Sequence, residues 1–477
     1  MLFNSYIFIF CFLPLTLFVY FGLNNLKQYK AAKISLVAAS LVFYGYNEMK
    51  YVFVILSSSI MNYLMCVLMR WFPQRKRWIV PTGVMANIVL LGYFKYFDFL
   101  LENINALTGS QFEYLRIALP LGISFFTFQQ ISYLIDFSRG ACSTRGFLDY
   151  ILFVTFFPQL VAGPIVSHDE MIPQFSSMTN KQWNFLNVSI GIQAFSIGLF
   201  KKVIIADNFG KIVSYGYGHV AGLSSLEAVL TILAFTIQIY FDFSGYCDMA
   251  AGIGLMFNIE LPVNFDSPYK AKTIVEFWKR WHITLTRFLT KYVYIPLGGS
   301  KKGRNRTYIN ILLVFLVSGL WHGAGYTFIL WGVFHGLANI VCRMWGKWIA
   351  RIPENINWMS TFIFLNLTWV FFRAEHVDQA LHLIARVFAG GFTISAELTE
   401  TLLQPVLVSV PAQFVPFFWV IVGYIVIILG VAFFSKNTKE FIQRRSMTVW
   451  SLFGTYILFV ISVLSLSGVT TFLYFNF

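Results

Sequence analysis

The sequence is poor in charge. Only 12% of its 477 residues are Asp, Glu, Lys or Arg, against ~25% in soluble globular proteins. That leaves too little polar surface to cover a water-facing body. Acids are scarcest, 21 against 35 Lys and Arg, for a formal net charge of +14. Cysteine is rare as well: Cys11, Cys66, Cys142, Cys247 and Cys342 stand isolated, four of them inside apolar runs. No Cys-x-x-Cys pair or His/Cys metal spacing occurs, so neither a metal site nor a disulfide framework is expected. The Gly-x-Ser-x-Gly elbow, the P-loop, the His-Glu-x-x-His motif and carboxylate clusters are also missing. ATPase and metallohydrolase chemistry are therefore unsupported. MLFNSYIFIFCFLPLTLFVYFGL has no basic leader and no small-residue cleavage site, and reads as a retained first span.

What remains is apolar and aromatic. The chain is 57% hydrophobic, and its 53 Phe and 13 Trp run through the whole length. This predicts an all-α polytopic membrane protein forming a single integral-membrane domain over 1–477, with room for about a dozen membrane segments. The expected segments are 5–23, 34–46, 51–70, 79–97, 117–137, 147–166, 185–206, 226–257, 308–321, 325–345, 358–373, 411–434 and 448–474. Several fall short of the ~20 residues of an upright crossing, which points to tilted, broken or re-entrant helices.

The cationic excess reads as a positive-inside bias and an attraction to anionic lipid headgroups, with no nucleic-acid partner. Lys27, Lys30 and Lys33, then Arg70, Arg75, Lys76 and Arg77, belong on the cytoplasmic side, with the N-terminus outside. Arg139–Arg145 and Lys201–Lys211 read as further basic loops. The richest cationic region, Lys270 to Arg306, follows the next apolar stretch. If both ends of 226–257 are cytoplasmic, that stretch must turn back, with Gly245, Gly252 and Gly254 as breaks. Asp242 and Asp248 would then sit beside a cavity open to the cytoplasm. Residues 271–290 carry apolar side chains at helical spacing between charges, and read as one amphipathic interfacial helix.

Three of the seven histidines draw attention. His322 lies in FLVSGLWHGAGYTFILWG, far in sequence from any acid or base. Desolvation favours a neutral imidazole, as a general base requires. Gly319, Gly323 and Gly325 leave room for a backbone or a ligand. From the residues alone, a structural and a catalytic role for His322 weigh equally. His282 reads as ligand-facing at the cavity mouth, and His335 as helix-packing. His168, His219, His376 and His382 read as solvated or loop-packing. Asp242 and Asp248 either cap half-helices and pair with cations, or take part in chemistry.

Four stretches together resemble the membrane-bound O-acyltransferase (MBOAT) family, in its alginate O-acetyltransferase branch: LPLGISFFTFQQISYLIDFSRG (119–140), FPQLVAGPIV (157–166), residues 239–299 and SGLWHGAGYTFILWGVFHG (318–336). The resemblance implies a ring of tilted and re-entrant helices around a funnel, with a core at about 117–345. It puts the family histidine on His322 and a second catalytic histidine on His282. It further implies transfer of an acyl group from a cytoplasmic thioester to an exported polysaccharide or peptidoglycan. Acetyl-CoA is the expected co-substrate, and no permanently bound cofactor is expected. Implied partners are an extracytoplasmic SGNH-type acetyltransferase and a polysaccharide synthesis and export complex, at the bacterial inner membrane. Expected substrate-binding residues are Asp242, Ser244, Asp248, Asn264, Asp266, Trp278, Lys279, Arg280, Trp281, Lys291, Trp321 and His335. Among them, Asn264 and Asp266 with His282 would organise the donor, and Lys279, Arg280 and Lys291 would attract its phosphates. Three alternatives remain: a teichoic acid D-alanyl transferase, a polysaccharide or lipid transporter with His322 as proton relay, and a scaffold.

Overall fold

The computed structural model describes residues 1–142, 146–395, 398, 417–435, 437–444, 448–466 and 472–473. Every regular element among them is helical. Six helices are long and apolar enough to cross a membrane: Phe8–Asn25, Lys50–Trp71, Pro73–Lys95, Phe185–Gly218, Ser225–Met256 and Tyr326–Met344. The chain is a multi-pass membrane protein. Arg145, residues 411–416 and parts of the last expected segment lie outside the described residues.

The chain divides into two compact units. The first comprises Met1–Gly198, Tyr246–Val263 and Arg444–Asn476. Its aromatic nucleus joins Phe8, Phe43, Phe157 and Phe257, with Phe43 and Phe157 centroids 5.4 Å apart and Phe157 and Phe257 5.8 Å apart. Polar side chains inside it satisfy one another. Asn87 Nδ2 donates to Asn62 Oδ1 at 2.8 Å, Ser58 donates to Gln130 at 2.8 Å, and Asn62 also donates to Gln130. The expected 147–166 segment is two half-helices, Phe147–Thr155 and Phe157–Leu160, parted at Phe156 (φ −52, ψ 109). Gly122, at φ +70, lies against this break, where a Cβ would approach Leu160 O to 2.5 Å.

The second unit takes Leu199–Gly245 and Asn264–Gln443. Here two expectations fail together. Lys201–Lys211 is no loop: Lys201, Lys202 and Lys211 lie inside the long Phe185–Gly218 helix, the first two in a π-helical stretch over Lys201–Ala206. Lys202 is buried and bridges Asp207 at 2.8 Å and Asp242 at 2.6 Å. Nor does 226–257 turn back, since Ser225–Met256 is one continuous helix of 32 residues. The cause is visible in the packing. Asp242 has its cation within the protein and needs no helix end. The glycines serve close approach instead: a Cβ on Gly252 would come within 2.5 Å of Gly191 O, and one on Gly254 within 2.7 Å of Ile259 O. On an unbroken helix the six-residue spacing leaves Asp242 and Asp248 on different faces, so they do not share a pocket by that route.

Replacing Lys202 by Met should therefore leave Asp242 buried without its ammonium partner and destabilise the protein by about 3–5 kcal/mol. Adding Asp242→Leu should recover most of the loss. Thermal unfolding in detergent of the two single variants and the double variant tests this; equal stability of Lys202→Met and the parent would refute the ion pair's importance.

Candidate active site

The site grows out of a kink. Residues 271–290 form two short helices, Ile274–Arg280 and Ile283–Leu289, and not the single amphipathic helix expected. Thr273 caps the first: the Glu276 amide donates to its hydroxyl at 3.1 Å, and the Lys272 amide donates to Glu276 Oε2 at 2.9 Å. Between the helices stands His282 at φ +44, a backbone region costly for a residue with a Cβ. The neighbouring backbone supplies what the kink gives up. The Asp266 amide donates to Arg280 O at 2.9 Å, and the Ile283 amide donates to Asn264 O at 3.0 Å. The periodicity of 271–290 was genuine, but apolar side chains on both halves are buried, including Trp278, Trp281, Leu285 and Phe288.

The Asn264 side chain then fixes the chemistry of His282. Asn264 Oδ1 accepts the Thr284 backbone amide at 3.3 Å and the Thr284 hydroxyl at 2.9 Å. A backbone N–H can only donate, so this atom is the oxygen. His282 Nδ1, 3.1 Å from the same oxygen, must therefore be the protonated nitrogen. Nε2 is left as the basic atom of the ring. Burial pushes the His282 imidazole down, to about 3, so the neutral form prevails at physiological pH.

His322 closes the Arg304–His322 helix and is 3% exposed. Its ring lies 6.4 Å from that of His282, 4.9 Å from Trp321, 5.1 Å from Trp331 and 5.1 Å from Phe372. The flanking glycines admit protein. A Cβ on Gly319 would strike Phe328 O, one on Gly332 would strike Phe315 O, and one on Gly323 would strike the Phe328 ring. These contacts let the Arg304–His322 and Tyr326–Met344 helices cross at backbone distance, as small residues do in membranes. His335, fully buried, accepts a hydrogen bond at Nδ1 from Trp278 Nε1–H at 3.2 Å. A neutral His335 thus carries its proton on Nε2. Its ring packs 4.8 Å from Trp331, so His335 and Trp278 help frame the wall beside His322. Trp281 packs on Trp369 at 5.0 Å.

The structure brings together His282, His322, Asn264, Trp278, Trp281, Trp321 and His335. Asp242 is engaged by Lys202. Ser244 is buried, and Asp248 is half-buried. Asp266 accepts from Lys439 at 2.8 Å and from Asn437 at 2.7 Å. Arg280 pairs with Glu276 at 2.9 Å and donates to Asp266 O at 3.2 Å. Lys279 is exposed, while Lys291 is half-buried with its ammonium 5.1 Å from the Tyr292 centroid. Sequence reasoning missed Thr284, Trp331 and Phe372, although the first two lie inside the 239–299 and 318–336 stretches. It also missed that His168 is buried and meets the buried Asp136 at 3.3 Å within the first unit. His219, His376 and His382 are exposed.

A model of the membrane-bound O-acyltransferase family, MBOAT, matches residues 40–375, a range that contains every residue of this cluster. The chain belongs to that family. It is accordingly a membrane O-acyltransferase. A peptidoglycan O-acetyltransferase of Helicobacter pylori is 42% identical over 100% of this chain and 98% of its own length. A probable alginate O-acetylase AlgI of Pseudomonas putida is 34% identical over 100% of both. A teichoic acid D-alanyltransferase of Streptococcus thermophilus is 26% identical over 47% of this chain and 57% of its own.

Two outcomes are expected of this MBOAT site. Spectra of protein labelled with nitrogen-15 histidine should show His282 neutral and protonated on Nδ1, and Asn264→Leu should lose that single tautomer. At the rim, burial works against the Asp266 carboxylate, but Lys439 and Asn437 outweigh it and hold the carboxyl below its ordinary value of 3.8. A depressed folded-state pKa stabilises above the unfolded value and is lost as pH falls through the folded one. The thermal-stability gap between the parent and Lys439→Met should thus be full at neutral pH and close in acid.

Proposed function

We propose that this MBOAT protein is an O-acetyltransferase that takes acetyl from a cytoplasmic thioester, acetyl-CoA, and delivers it to an exported glycan. The observation that carries the reading is the pairing of His322 with a tautomer-fixed His282 in an aromatic enclosure within the family-matched region. A thioester is already activated, so the task is to deprotonate an acceptor hydroxyl and hold the two reactants together. His322 takes the hydroxyl proton as the oxygen attacks the thioester carbonyl. The new C–O ester bond forms, the C–S bond breaks, and the departing thiolate recovers the proton from the imidazolium. His282, with its lone pair on Nε2, orients the donor or the same proton. No acyl-enzyme is needed.

Peptidoglycan is the favoured acceptor, because the relative of that description aligns end to end at 42% identity. An alginate-like exopolysaccharide is the second reading, favoured by the end-to-end match at 34%. Delivery through a Ser or Thr of an extracytoplasmic SGNH-type partner, within a polysaccharide synthesis and export complex, is the indirect form of either. D-alanyl transfer from a carrier protein has weaker support, since that likeness spans about half of this chain. Transport without chemistry and a pure scaffold do not suit a member of an acyltransferase family.

By the excess of Lys and Arg we place the Lys270–Arg306 region on the cytoplasmic side, the N-terminus outside, and the protein at the bacterial inner membrane.

His322→Ala should lower acetyl transfer ~10²–10⁴-fold while leaving expression and thermal stability near those of the parent. Mass spectrometry of muropeptides and of secreted polysaccharide, with and without the substitution, reads both acceptor and role. Acetylated glycan at parental levels in the variant would rule out His322 as the base; acetyl loss confined to the exopolysaccharide would favour the second acceptor.

A further inference from the structure

Three N–H groups beside His322 meet no acceptor among the described residues: Trp331 Nε1, Trp369 Nε1 and His335 Nε2. All three residues are fully buried. A buried donor has given up its water, and nearly every such group in a folded protein finds an acceptor in exchange. In the same wall one does: Trp278 Nε1–H is answered by His335 Nδ1 at 3.2 Å. An indole N–H only donates, so Nδ1 bears the lone pair and Nε2 the proton of a neutral imidazole. Trp278 thereby fixes the tautomer in which His335 is a donor at Nε2.

The unanswered donors lie together. Trp331 and His335 stand four positions apart on the Tyr326–Met344 helix, hence on one face, with ring centroids 4.8 Å apart. Trp369, from the Glu354–Arg373 helix, is 6.0 Å from Trp331 and 6.3 Å from His335. Two N–H groups that share one oxygen, each about 3 Å from it, are at most ~6 Å apart. The Trp331 and His335 rings are within that limit, and the Trp369 ring is at its edge. The Trp331 ring also meets that of His322 at 5.1 Å, with 84° between the ring planes. An oxygen held by Trp331 would therefore be next to the proposed base.

Clustered neutral N–H groups recognise a compact oxygen, most strongly one that gains negative charge in a dry site. We propose that Trp331 and His335 form an oxyanion hole: Trp331 Nε1–H and His335 Nε2–H hold the carbonyl oxygen of the acyl thioester, with Trp369 Nε1–H as the outer donor. As the acceptor oxygen attacks the carbonyl carbon, the π pair of C=O moves onto this oxygen and its proton-bearing neighbours hold the alkoxide. His322 has taken the acceptor's hydroxyl proton. The pair then returns, C=O is restored, the C–S bond breaks, and the thiolate takes the proton from His322. Neutral donors also suit membrane depth, where a Lys or Arg would itself require a counterion. The inference rests on the thioester reading above, and it adds the groups that answer the developing charge, which a base alone leaves unmet.

The test is the infrared band of acetyl-CoA labelled with carbon-13 at its carbonyl, bound to the full chain in nanodiscs without acceptor. In the parent the band should lie below its position in water. Trp331→Phe, which keeps a ring and removes the N–H, should return part of that shift. So should His335→Asn, whose carbonyl can still accept from Trp278 while the Nε2 donor is lost. In cells, each variant should lower the initial rate of glycan acetylation ~10²–10³-fold. Should Trp331→Phe fail to fold, benzothienylalanine at 331 exchanges N–H for sulfur in a ring of the same shape. Trp278→Phe, which acts only through His335, should add its second tautomer in nitrogen-15 histidine spectra. A parental band and rate in folded variants at both 331 and 335 would overturn the proposal and leave the N–H groups resting on ring faces. Failure of the parent to bind acetyl-CoA would fall first on the acetyl-CoA reading and would take this inference with it.

Discussion

A bilayer interior offers no hydrogen bonds, and this constraint orders the whole molecule. Each polar group placed there must find a partner within the protein or pay a desolvation penalty of several kcal/mol. Many of these partners are other side chains. Asn62, Asn87 and Gln130 answer one another in the first unit. In the second, Lys202 answers Asp242 and Asp207, Asn264 answers His282 and Thr284, and Trp278 answers His335. The candidate site is one instance of a rule that also holds the helices together.

That rule explains why the two histidines differ in character. His282 sits at a backbone turn whose strain is offset by hydrogen bonds to Asn264 and Asp266, and its ring is locked in one tautomer. His322 sits at a helix end among Trp and Phe rings, which provide shape and dryness. A catalytic base benefits from both kinds of support: fixed proton bookkeeping nearby and exclusion of water around the reacting atoms.

Glycine plays one part where helices cross. At Gly191 with Gly252, and at Gly319 with Gly332, it lets backbones approach where any Cβ would collide. Read along the sequence, Gly252 looked like a helix break and Gly319 like an opening for a backbone or a ligand. Composition shows only that a side chain is missing; which neighbour fills the space is a three-dimensional fact.

Much was nonetheless written in the chain itself. Scarcity of charge together with apolar runs longer than alternating barrel strands determined a helical membrane protein. The segments around His282 and His322 carried the acyltransferase family, and the apolar surroundings of His322 marked an imidazole out of place. Three matters were left to tertiary structure. Lys202 belongs inside a helix, and not a loop, because Asp242 waits for it one helix away. The 271–290 helix breaks at His282 because backbone groups at Asn264 and Asp266 can satisfy the break. His282 holds its proton on Nδ1 because the Thr284 amide fixes which end of Asn264 faces it. Hydropathy records what each residue avoids; only the folded chain decides which partner it meets.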